Sequence, residues 1–363
     1  MNVVFDSHRR TVNASLVGAM VLIATMAGAV ETITMTDDKG ATRELIGTTL
    51  IQASDGGRLF ECDDGQLWKI QASQVVSADQ NDQPDVPVDQ QQISKRLLNE
   101  FPPGFKIHQT THYVIIHNTN DAYVRWVGAM FEQLYKGYFI YWKNLGWDLQ
   151  EPKYPLVAVV FADRAGFDEY GKYDVGDAAL STIGYYNLQT NRITTYNVPN
   201  AERQISTVIH EATHQLAYNT GLQRRYADNP MWVTEGMAIF FESPDFTSPR
   251  GWRSIGNVNP VNLDRFKRYL PRRGSESLAT LLTDDMRFRN QASMSDAYSE
   301  AWALTYFLMR TKKKEYIKYL KTLSEGKPLE IRDKRQRIEL FEQIMKTDLA
   351  TIDRQFINYM RGK

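Results

Sequence analysis

The chain has 363 residues, 42% of them hydrophobic, enough for one large core or two domains and too apolar for disorder throughout. Its 43 basic and 43 acidic side chains cancel, so no net field draws nucleic acid or an anionic membrane surface, and no nucleic-acid partner is expected. Cys62 is the only cysteine, which excludes an internal disulfide framework and a thiolate-rich metal site and leaves His and carboxylate ligands for any metal.

His8, Arg9 and Arg10 open the chain with basic charge, residues 14–26 are apolar and uncharged, and Ala27-Gly28-Ala29 supplies small residues. That order predicts a signal peptide over 1–29 and a mature chain that begins at Val30, periplasmic or secreted. An uncleaved N-terminal membrane anchor is the alternative, because no charge falls between Arg10 and Glu31. Gly18 and Gly28 make it a weak span. No later run approaches ~20 apolar residues, so the mature chain is not expected to be embedded in a membrane.

Residues 30–77 alternate apolar and polar positions between turn signals at Asp38-Lys39-Gly40, Asp55-Gly56 and Asp64-Gly65, the pattern of a small β module. Phe60 and Trp68 are expected in its core. Residues 78–92 hold few large apolar side chains and are expected to be a linker. From residue 93 onward the periods mix. Residues 112–117 and 154–161 read as strands, 122–145 as a long helix rich in aromatic residues, and 181–198 as a hairpin around Leu188-Gln189-Thr190-Asn191 that leaves an edge strand. Beyond Asp228 the helical period dominates, most clearly over 298–309, 313–323 and 338–345.

Residues 205–218 carry His210-Glu211-Ala212-Thr213-His214 between Ile205, Val208, Ile209, Ala212 and Leu216, apolar positions that suit a buried helix. Residues four apart on a helix differ by only about 40° around its axis, so His210 and His214 can converge on one ion. Glu211, about 100° from His210, lies beside the ion, where its carboxylate can take a proton from metal-bound water. Zinc also needs a third protein ligand and an open fourth position to be catalytic. Glu235 lies in an otherwise apolar helix-like run, Met231-Trp232-Val233-Thr234-Glu235-Gly236-Met237-Ala238, where an ionised carboxylate is costly unless paired or ligating. Glu242, seven residues on, is the rival third ligand. His108, His112 and His117 are expected to be packed or surface imidazoles, not ligands.

His210-Glu211-Ala212-Thr213-His214, followed by Trp232-Val233-Thr234-Glu235-Gly236-Met237-Ala238, resembles the gluzincin clan of zinc metallopeptidases. More closely it resembles a bacterial group of exported gluzincin-like proteins. The resemblance covers roughly residues 113–308. It implies an α+β fold: a zincin-like catalytic domain over 93–363, with a mixed sheet, an active-site helix beneath its edge strand and a helical lobe from about 228, preceded here by the small all-β module. It also implies Zn2+ as cofactor, peptide or protein as substrate, and an oxyanion donor from the helical lobe, for which Tyr298 is the candidate. Thermolysin-like members place an acidic residue four after the ligand Glu to brace a histidine, whereas this chain has Ile239 there.

The edge strand around 182–186 is expected to take an extended peptide by strand addition, and Arg250-Gly251-Trp252-Arg253 is a lesser candidate for a substrate carboxylate or phosphate. Two functions compete: a zinc peptidase with Glu211 as general base, and a catalytically inactive cell-envelope binding protein whose zinc site is vestigial. The intact Glu211 favours the enzyme, since it contributes nothing to holding an ion.

Overall fold

A computed structural model describes residues 29–198, 201–242 and 255–363. Most of the expected signal segment and the Arg250-Gly251-Trp252-Arg253 stretch lie outside those described residues. The protein is α+β, an antiparallel all-β sheet followed by a mixed sheet and helices. It divides into two compact units, one of residues up to Ala129 with Pro152–Asn197, the other of Met130–Glu151 with Val198–Lys363.

The first unit begins with five strands, β1 (Ala29–Thr36), β2 (Thr42–Gln52), β3 (Arg58–Cys62), β4 (Leu67–Ile70) and β5 (Val75–Pro84), in the spatial order β4-β3-β2-β1-β5. All pairs are antiparallel. Ile33, Met35, Leu45, Phe60, Cys62 and Ile70 form its core, with Trp68 partly buried against them. The expected linker is corrected here. Residues 78–84 belong to β5, paired along β1, and helix α1 (Gln90–Glu100) starts inside the rest, with Asp89 as its N-cap. An edge strand held by backbone bonds on one side needs few apolar side chains, so its composition mimics a linker.

The mixed sheet of the same unit follows: β6 (Lys106–Gln109), β7 (Tyr113–His117), helix α2 (Asp121–Asn144), β8 (Leu156–Phe161), helix α3 (Arg164–Val175), β9 (Gly184–Asn187) and β10 (Arg192–Tyr196). Its order is β6-β7-β8-β10-β9. The central β7–β8 and β8–β10 pairs are parallel and the outer pairs antiparallel. Every residue of β7 and β8 is buried, which explains their unbroken apolar runs. The hairpin read over 181–198 is β9–β10, with β9 at the sheet edge. The two sheets of this unit touch: Leu67 N–H donates to Gln189 O at 2.8 Å, and Arg96, on α1, grips Asp63 through two bonds of 2.7 Å.

The second unit is helical: the C-terminal part of α2, then α4 (Ala201–Asn219), α5 (Met231–Phe241), α6 (Pro260–Tyr269), α7 (Ser277–Thr283), α8 (Met294–Thr311), α9 (Lys313–Ser324), α10 (Lys334–Met345) and α11 (Leu349–Arg361). Helix α5 is buried at every position, and aromatic rings fix both its ends. Trp232 stacks with Tyr316 and Tyr319, and Phe241 meets Tyr138, Tyr141 and Trp142 of α2 at 5.0–6.2 Å between ring centroids. At Gly236 a Cβ would come within 2.6 Å of Ala301 O on α8, so glycine there is what lets α5 and α8 approach so closely. Helix α8 is buried from Ala297 through Met309. Its Glu300, fully buried, is bonded by Arg273 and Arg287 at 2.7 Å each and by Ser277, the pairing that a buried carboxylate requires. Among the described residues no helix is long and apolar enough to cross a membrane.

Candidate metal centre

The site is assembled from α4, α5 and α8, all in the second unit. His210 and His214, one turn apart on α4, present their rings 4.7 Å apart between centroids and at 78° to one another. The loop after α4 is tied back by Gln223 Nε2, which donates to Thr234 Oγ1 at 3.1 Å, and Pro230 caps the start of α5. Helix α5 thereby brings Glu235 Oε2 to 3.2 Å from His210 Nε2 and 3.7 Å from His214 Nε2.

His210, His214 and Glu235 are at most 1% exposed, and their ligand-type atoms all lie within 4.8 Å of one another. Three donors about 2.0–2.1 Å from a tetrahedral ion sit roughly 3.4 Å apart, so the two measured separations suit a small divalent cation. The burial of His214 Nε2 without a hydrogen-bond partner fits the same purpose, since a buried polar atom is stable only when something satisfies it. Two imidazoles and one carboxylate form a borderline donor set suited to zinc. The group can therefore bind a metal ion.

Burial works against charge on Glu235, but the two imidazoles outweigh it and hold its pKa down to about 2. Burial likewise opposes a proton on His210, yet the hydrogen bonds it donates to Glu235 and Glu242 and the nearby charge of Glu211 push its pKa up to about 10. On His214 burial prevails and the pKa falls below its ordinary value. Because the carboxylates around His210 favour its protonated form, a cation on Nε2 is expected to displace a proton at neutral pH, and binding should weaken about tenfold for each unit of pH lowered. Competition with a chelator from pH 8 to pH 6 measures the slope, and an affinity flat across that range would mean that no proton is displaced.

The other candidates fall as follows. Glu211 is 0% exposed and adjoins His210 on α4. Tyr298 is buried on α8, and its phenol is kept protonated by burial, by the charges of Glu235 and Glu211, and by a hydrogen bond to Glu235. A neutral phenol can donate a hydrogen bond. Glu242 lies outside the group of three. Its Oε2 is 2.9 Å from His210 Nδ1, on the side of the ring away from Glu235. His117 is buried with Nδ1 3.2 Å from Thr119 O and belongs, like His108, to the strands of the other unit. The contact of Glu242 with Nδ1 was not anticipated from sequence, although a Glu closing an apolar helix two turns after a ligand was a signal for it.

One family model matches the chain, described as "Protein of unknown function (DUF1570)", over residues 204–330. The matched stretch holds the three ligand-type side chains, Glu211, Glu242 and Tyr298. No curated protein matches the chain.

Proposed function

We propose that the protein is a zinc-dependent peptidase of the gluzincin type, exported and acting on extracytoplasmic peptides or proteins. The observation that carries the reading is the buried convergence of His210, His214 and Glu235 with Glu211 beside them on the same helix. Held by these three side chains, zinc would polarise the scissile carbonyl and acidify a water.

The rest is the work of the chain's own groups. Glu211 accepts the proton of the attacking water on its carboxylate and delivers it to the amine nitrogen as the C–N bond breaks, so the same group serves as base and then acid. Tyr298, held as the neutral phenol, donates to the oxygen on which negative charge develops. Full burial of Glu211 strengthens these interactions, because little water remains to screen them. A vestigial site would have no use for a base kept at such cost in desolvation.

The test joins metal analysis to a peptide-library cleavage assay. The purified chain should carry about one zinc per molecule, lose cleavage on chelation and regain it when zinc is returned. Cleavage that survives complete metal removal would sink the reading.

A further inference from the structure

At the end of α5, Glu242 is a buried carboxylate to which the hydrolytic reading gives no task. Its Oε2 meets His210 Nδ1 at 2.9 Å, and its Oε1 accepts from Asn259 Nδ2 at 3.3 Å. Asn259 is itself the N-cap of α6, its Oδ1 accepting from the Asn262 N–H at 3.1 Å. Both Glu242 and Asn259 are buried.

These bonds have a direction. The Asn259 oxygen is committed to a backbone N–H, so its amide group must turn its NH2 toward Glu242. The carboxylate, an acceptor only, then takes the N–H of the imidazole at Nδ1, so that Nε2, facing Glu235 and His214, is the nitrogen that gives up its proton and offers its lone pair when a cation binds. We infer that Asn259 and Glu242 form a positioning relay that fixes the tautomer and ring angle of His210 from the cap of α6. The position four after Glu235, where thermolysin-like proteins carry an acidic residue, is here the buried Ile239 and can make no such bond. The inference rests on the metal reading above and concerns how the ligand is held, not the reaction.

The test uses the full chain with Glu242→Ala, Glu242→Gln and Asn259→Ala, read by zinc competition against a chelator and by NMR of the His210 Nδ1–H in the zinc-loaded protein. Glu242→Ala should bind zinc about 10–100-fold more weakly. Glu242→Gln, which keeps an acceptor, should lose less affinity but still move the Nδ1–H resonance. Asn259→Ala should move that resonance too, although Asn259 touches Glu242 and not the imidazole, a response that a merely structural role would not give. Parental affinity in a folded Glu242→Ala overturns the relay. If that variant does not fold, an unmoved resonance in Glu242→Gln and Asn259→Ala overturns it instead. The relay holding without any peptide cleavage would remove the peptidase reading alone, and a parent that binds no zinc would overturn both.

Discussion

Glu211→Gln should retain zinc and a parental unfolding temperature while peptide hydrolysis falls by about 10²–10⁴-fold, the usual loss on removing a general base. The substitution keeps the size of the side chain and much of its hydrogen bonding, and Glu211 is not one of the three converging ligands. What disappears is the ability to hold a proton between its departure from water and its arrival at the leaving nitrogen. Metal content, thermal unfolding and cleavage rate are measured on one preparation. A variant that cleaves as fast as the parent with zinc bound would make the metal site structural, whatever else it does.

His214→Ala should release the metal. Zinc binding worth about 10–16 kcal/mol in structural sites, shared over four ligands, comes to roughly 2.5–4 kcal/mol each, or about 10²–10³-fold in affinity. His214 brings the Nε2 that faces Glu235 Oε2 at 3.7 Å, and an alanine leaves no donor in that direction. Glu235→Ala should lose zinc to a similar degree. Zinc kept in Glu235→Ala but lost in Glu242→Ala would transfer the third position to Glu242, against the placement of its carboxylate on Nδ1. Unchanged metal content in His214→Ala would discard the site.

The long periodic elements were legible in the sequence because their patterns come from burial on one or both faces. The runs at 154–161 and 122–145 correspond to β8 and α2, with ends shifted by one or two residues. The convergence of His210, His214 and Glu235 was legible too, since two ligands share one helix face and an acid in an apolar helix needs a partner. Strand β5 was not, because an edge strand of Asp, Gln and Asn is stabilised by the backbone of β1, which leaves no mark on its own composition. The contact between Glu242 and His210 depends on how α5 ends and where α6 begins. The partners Glu242 and Asn259 are joined by chain folding, not by any period.

The division of the chain also constrains how it can be dissected. Any uninterrupted fragment holding the whole first unit must carry residues 130–151 of the second with it, because they fall between Ala129 and Pro152. Conversely, a fragment that starts at Val198 contains every ligand-type side chain but lacks Tyr138, Tyr141 and Trp142, the rings against Phe241 at the end of α5. The stretch matched by the family model, 204–330, has the same deficit. It holds the chemistry of the metal centre without all of the scaffold that seats Glu235 and Glu242, so a minimal recombinant version has to reach back at least to Met130.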